Sequence, residues 1–163
     1  MKPSNNTALD LDATDLRILA QLQHDAAQSN QALAEKVHVS SATCLRRVKR
    51  LVDAGLIERQ VAILSPELIG HGLTAIIEIT LDHQAVEHLV AFETRAAGDA
   101  AVQQCYRVSP GPDFVLIVQL ADMADYNAFV QRMLSLDANV RNVRTFFSTH
   151  RAKFGTQMVL PAL

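Results

Sequence analysis

At 163 residues, with 49% hydrophobic and 20% charged side chains, the chain is long enough for one domain or two small ones and too apolar for a disordered protein. A formal charge of −2 excludes a general attraction to polyanions, so any nucleic acid must be met by a local cluster of cations. Cys44 and Cys105 fit no zinc or CxxC spacing, and no apolar run approaches the roughly 20 residues of a membrane span; both features point to a reduced, cytoplasmic protein.

Residues 1–9 are polar and without periodicity and read as a flexible arm. Asp12 is then placed to cap a first helix, with Asp15 in its first turn, Leu16, Leu19, Ala20 and Leu22 spaced for burial, and an end between His24 and Ala27. Ser29 or Asn30 caps a short second helix with Leu33, Ala34 and Val37 as its apolar stripe. Only His38, Val39 and Ser40 separate it from a third helix, which Ser40 caps and Gly55 ends. Helix, short helix, tight turn, helix predicts a helix-turn-helix. His38 stands at a turn position that requires left-handed backbone, which histidine tolerates better than most residues.

The third helix carries the charge signal. No acidic residue lies between Glu35 and Asp53, whereas Lys36, Arg46, Arg47, Lys49 and Arg50 all do, and a run of one sign suits a polyanion such as double-stranded DNA. At about 100° per residue the expected packed face holds Ser41, Ala42, Leu45, Val48, Leu51 and Val52, with Cys44 as a small buried side chain near its edge. Thr43, Arg46, Arg47 and Arg50 are then expected to enter a groove, and Ser40, Ser41 and Lys49 to meet the backbone.

Residues 56–64 have strand character and read as a wing or connecting strand, which closes a DNA-binding domain over 10–64. Pro66, Gly70 and Gly72 mark a linker over 65–72. A second domain spans 73–153. Leu73, Ala75, Ile77, Ile79 and Leu81 alternate with Thr74, Ile76, Glu78 and Thr80 in a strand; Val86, Leu89, Val90 and Ala97 mark a helix; residues 102–108 form a second strand. After the turn Ser109-Pro110-Gly111-Pro112-Asp113, the apolar run 114–120 reads as a central strand. A helix follows, with Tyr126, Phe129, Val130, Met133 and Leu134 on one stripe, and then a last strand over 140–149. The class is therefore α+β: an N-terminal winged helix-turn-helix plus a C-terminal ferredoxin-like βαββαβ sandwich with both helices on one sheet face. The other face needs a cover, and a second subunit supplies the simplest one, so a homodimer is expected. Residues 154–163, with Met158, Val159 and Leu160, form an apolar tail that packs on a neighbouring subunit or stays loose.

Together these features resemble the Lrp/AsnC (feast/famine) family of transcriptional regulators. The resemblance rests on Leu11-Asp12, Asp15 and Ile18-Leu19; on Ser40, Cys44-Leu45-Arg46-Arg47-Val48 and Leu51; on Gly55-Leu56-Ile57; and on Glu78-Ile79-Thr80-Leu81, Val108-Ser109, Asp122-Met123, Tyr126 and Val143-Arg144-Thr145. It implies DNA binding by the first domain, dimerisation by the second with assembly into octamers or into other rings and helices, and a small-molecule effector, commonly an amino acid, at interfaces between dimers. The effector residues it implies are Arg107, Val108, Ser109, Pro110, Gly111, Asp113, Met123, Thr145, Phe146, Phe147 and Ser148. Exposed amides of the turn would take the α-carboxylate and Asp113 the α-ammonium. This chain departs from the family turn Gly-Asp-x-Asp by carrying two prolines, which remove two N–H donors. Arg107 stands where a small or apolar residue is usual, and either grips a ligand carboxylate or pairs with a neighbouring acid.

No nucleophile elbow, P-loop or HExxH pattern is present, and the six histidines form no cluster, so neither an enzyme nor a metal or cofactor is expected. The competing reading is an architectural DNA-binding protein whose second domain assembles without sensing a ligand.

Overall fold

The computed structural model describes residues 10–161 apart from Leu136, and the expected arm at 1–9 lies outside them. The chain divides into two compact units, one of Ile63–Ala152 and one in which the chain up to Ala62 is joined by the C-terminal residues from Lys153 onward.

In the first unit α1 spans Ala13–His24, α2 Asn30–Lys36 and α3 Ser41–Asp53. Each helix starts at a polar side chain that satisfies otherwise orphaned N–H groups: Asp12 accepts from Thr14 and Asp15, Ser29 from Ala32, and Ser40 from Thr43. Asp15 returns the bond to the Asp12 N–H, completing a capping box. His38 lies at φ 59°, the left-handed conformation that the tight turn requires, and Gly55 adopts φ 75° just past α3. Leu16, Ile18, Leu19, Leu33, Ala34, Val37, Cys44 and Leu51 form one buried cluster.

Three sequence expectations change here. The packed arc of α3 runs through Cys44, Leu51 and the half-buried Val48, whereas Leu45 and Val52 are 60% and 46% exposed. The inward arc is thus rotated from the expected one, because Cys44 and the seven-residue step to Leu51 set the seam. Residues 56–64 form no strand, and among the described residues no strand pairs with them; only the Leu56 and Ile57 N–H groups are bonded, both to the Leu51 carbonyl at the end of α3. Their β-branched side chains favour extension, but a strand needs a neighbour to take its N–H and C=O groups. The tail is not loose but packs on its own chain. The Gln23 side-chain amide accepts from Met158 N–H (2.6 Å) and donates to its carbonyl (3.1 Å), as a neighbouring strand would, and Leu160 packs on the helical cluster.

The second unit runs β1 Leu73–Leu81, α4 Val86–Gly98, β2 Val102–Arg107, β3 Phe114–Leu120, α5 Met123–Val130, which continues into a π-helical turn at Gln131–Ser135, and β4 Val140–Phe147. The strands lie in the order β2-β3-β1-β4, antiparallel throughout. Alternation puts Ala75, Ile77, Ile79, Leu81, Phe114, Leu116, Val118 and Leu120 on the helix-covered face. There they meet Phe92 and Ala96 of α4 and Phe129, Met133 and Leu134 after them, with the Phe92 and Phe114 rings stacked at 4.6 Å. The stripe of α4 differs from expectation. Phe92, Ala96 and half-buried Leu89 face the sheet, while Val86, Val90 and Ala97 look outward, since only steps of three or four from Phe92 stay on one side.

The other sheet face is uncovered among the described residues. Its central row runs Gln104, Ile117, Ile76, Phe146 across the four strands, and the next row Tyr106, Val115, Glu78, Arg144, whose last two side chains pair at 3.2 Å. The helices are pinned at the rim. Arg132 grips Asp99 through two bonds of 2.7 and 3.0 Å and so holds that carboxyl below its ordinary value, and Arg95 pairs with Asp137.

Candidate nucleic-acid interface and ligand-facing turn

The cationic residues of α3 do not share one environment. Arg47 Nη1 reaches Asp12 Oδ2 at 2.7 Å and Asp15 Oδ1 at 2.9 Å, and Arg50 Nη2 binds Asp15 Oδ2, so both guanidiniums lie against α1. Asp15 is fully buried and ties α3 to α1 through both oxygens. The Asp15 N–H and Arg47 hold the Asp12 carboxyl below its ordinary range, and Asp12 and then Asp15 raise Arg47 in turn. Arg47 is therefore largely committed to the fold, while the Arg50 side chain remains partly exposed.

Arg46 and Lys49 are exposed, and neither meets a carboxylate among the described residues. They share the outward side with Ser41, Ala42 and Leu45. Thr43 is half-buried and occupied by Ser40, whose Oγ donates to its Oγ1 at 2.9 Å and accepts its N–H at 3.2 Å. The Asn30 side chain holds the Ser41 carbonyl at 2.9 Å and so fixes the start of α3 against α2. Of the seven residues expected at the duplex, then, Ser41, Arg46 and Lys49 stand free, Arg50 is shared, and Ser40, Thr43 and Arg47 hold the element in place. Leu45 and Ala42 were missed as part of this face. A signal existed: Asp12 and Asp15 repeat the three-residue spacing of Arg47 and Arg50 with opposite charge.

In the second unit the turn after β2 is closely tied. Asp113 Oδ2 accepts from Leu81 N–H at 2.7 Å, its N–H donates to the Ile79 carbonyl, and its carbonyl accepts from Val108 N–H. Gly111 sits at φ 122°, which only glycine adopts without strain, between two prolines that have no N–H to offer. Arg107 pairs with Glu93 of α4 at 2.8 Å, the second of the two roles its position left open.

The remaining effector candidates lie elsewhere. The register places residues 108–113 beside the Ile79–Leu81 end of β1, whereas Phe147 pairs with Ala75 and Ser148 N–H bonds to Thr74 at the other end, where Met123 also follows β3. Thr145 accepts from the Tyr126 hydroxyl at 2.8 Å, and the Phe147 ring stands edge-on to Tyr126 at 5.0 Å. Phe146 points to the opposite, uncovered face. One chain does not bring these residues together. Among the described residues no group of three metal-ligating side chains occurs, and no helix is long and apolar enough to cross a membrane.

Comparison with known proteins gives both units a place. The family described as Lrp/AsnC ligand binding domain matches residues 74–158, and that described as winged helix-turn-helix DNA-binding matches residues 11–58. The leucine-responsive regulatory protein of Rhizobium meliloti is 36% identical over 150 residues, which cover 92% of this chain and 96% of that one. The DNA-binding transcriptional activator DecR of Escherichia coli K12 is 36% identical over 148 residues, 91% of this chain and 97% of its own. Among solved structures, a transcriptional regulator of Neisseria meningitidis in complex with L-Met superposes with a TM-score of 0.86 at 31% identity, covering 92% of this chain and 97% of that one.

Proposed function

Because this chain belongs to the Lrp/AsnC family of transcriptional regulators, we propose that it reads its operators with the outer side of α3, as a dimer joined through the uncovered sheet face, under control of an amino acid. The observation that carries this reading is the completed helix-turn-helix. Capped helices hold Ser41, Arg46 and Lys49 outward on an element about four turns long, while opposite charges bind its inner side to α1. Helices of this length enter a major groove, where arginine reads guanine and lysine meets phosphate.

A dimer presents two such helices to two half-sites. If about four phosphates are neutralised per half-site, log K falls against log salt with a slope of about −7. Anisotropy titrations of a selected duplex between low and physiological salt will measure that slope, and a value near zero rules out the geometry.

The effector site is composed from more than one copy, because its two groups of residues lie at opposite ends of one sheet. The turn Val108 to Asp113 of one subunit then meets Met123, Thr145, Phe147 and Ser148 of another, within an octamer or other assembly of dimers. The solved relative carrying L-Met supports an amino-acid ligand. The architectural alternative draws on the same turn, whose prolines, engaged Asp113 and paired Arg107 leave few groups for a ligand. Thermal melting against the twenty amino acids separates them: a true effector at a hundredfold excess over its Kd adds about 2.7 kcal/mol, whereas assembly without sensing leaves every melt unchanged.

A further inference from the structure

The outward side of α3 carries one feature that phosphate contacts do not use. Leu45 is 60% exposed on the second turn, four residues after Ser41 and four before Lys49, with Arg46 beside it and the small Ala42 three residues back. It belongs to neither buried cluster. A branched apolar side chain ringed by cations is a poor solvent contact and a poor seat for another protein's apolar surface, but it suits a base edge. In the major groove the only apolar group on a base edge is the C5-methyl of thymine. The geometry points to Leu45 as a specificity-determining residue that recognises a thymine methyl in each half-site, with Ala42 leaving room for the close approach. This inference rests on the reading of α3 as the groove element.

Leu45 is chosen over Val52 and Leu56, which are also exposed, because these lie at or beyond the last turn of α3. Recognition helices of this motif bring their N-terminal residues to the bases. Arg46 and Lys49 flank Leu45 and supply the attraction that holds it against the duplex, whereas Asp53 follows Val52 directly and repels phosphate.

The test is a methyl-deletion cycle on the full-length protein. An operator is selected from a random duplex pool, and each thymine is replaced in turn by uracil, which lacks only the C5-methyl. For the unaltered chain, one position per half-site loses about fourfold in affinity, the factor for one buried methyl. In Leu45→Ala the same replacement has no effect, while the melting temperature and sedimentation match the parent because the side chain is exposed. Equal uracil sensitivity in both proteins, or none in the parent at any thymine, overturns the inference alone. A changed sedimentation in Leu45→Ala assigns the leucine to a subunit contact and also overturns it. A chain that prefers no sequence in the selection brings down the regulator reading, and the leucine assignment with it.

Discussion

Replacing both Arg47 and Arg50 by alanine will destabilise the N-terminal unit by roughly 3 kcal/mol, a large part of the 5–15 kcal/mol that holds a typical domain folded. Asp15 is buried with both oxygens engaged by these guanidiniums, and their removal leaves an ionised carboxylate without a counter-charge in the α1–α3 seam. The figure sits at the low end for a buried pair because both arginines are partly exposed and water can follow them in. Adding Asp15→Asn to the double variant should restore part of the loss, since a neutral amide costs less to bury than a charge. Urea unfolding followed by helical circular dichroism measures all three proteins. If the double variant keeps parental stability and loses only DNA affinity, the arginines are groove residues after all. That outcome would return them to the role their charge suggests.

Placing a charge on the uncovered sheet, Ile117→Glu, will weaken self-association by at least about a hundredfold, because an unpaired carboxylate in an apolar interface costs several kcal/mol. Ile117 sits in the central row between Gln104 and Ile76, with Phe146 beyond, so no cation adjoins it; Arg144 lies in the next row and is taken by Glu78. The fold should survive, since the buried core lies on the other side of the sheet. Sedimentation will then report a monomer at concentrations where the parent is dimeric, and the salt slope on operator DNA will fall to about half its value as one helix in place of two meets the duplex. Unchanged sedimentation would place the subunit contact elsewhere.

Much of this molecule is legible from local spacing. Helix starts at Asp12, Ser29 and Ser40, the left-handed turn at His38, the stop at Gly55 and the alternation of β1 all depend on residues within a turn or two of one another, and each is found where its chemistry puts it. The βαββαβ order follows from the same signals, and with it the open sheet face that asks for a partner. Helix phase was harder to read. In α3, apolar residues at 44, 45, 48, 51 and 52 fill one arc of about 120°, and either the Leu51 end or the Leu45 end of it could have been the inner one; in α4 valines at 86 and 90 compete with Phe92 and Ala96.

The sequence by itself determined the elements, their order and the cationic character of α3, because these arise from neighbouring side chains and the backbone they share. Only the tertiary structure decided which cations are free. Arg47 and Arg50 turn inward because folding carries Asp12 and Asp15 across more than thirty residues of chain to meet them, and the tail joins α1 because Gln23 offers an amide to its backbone. Attraction between charges so distant in sequence exists only once the intervening helices have packed. That is why Arg46 and Arg47, adjacent in the chain, end in different environments.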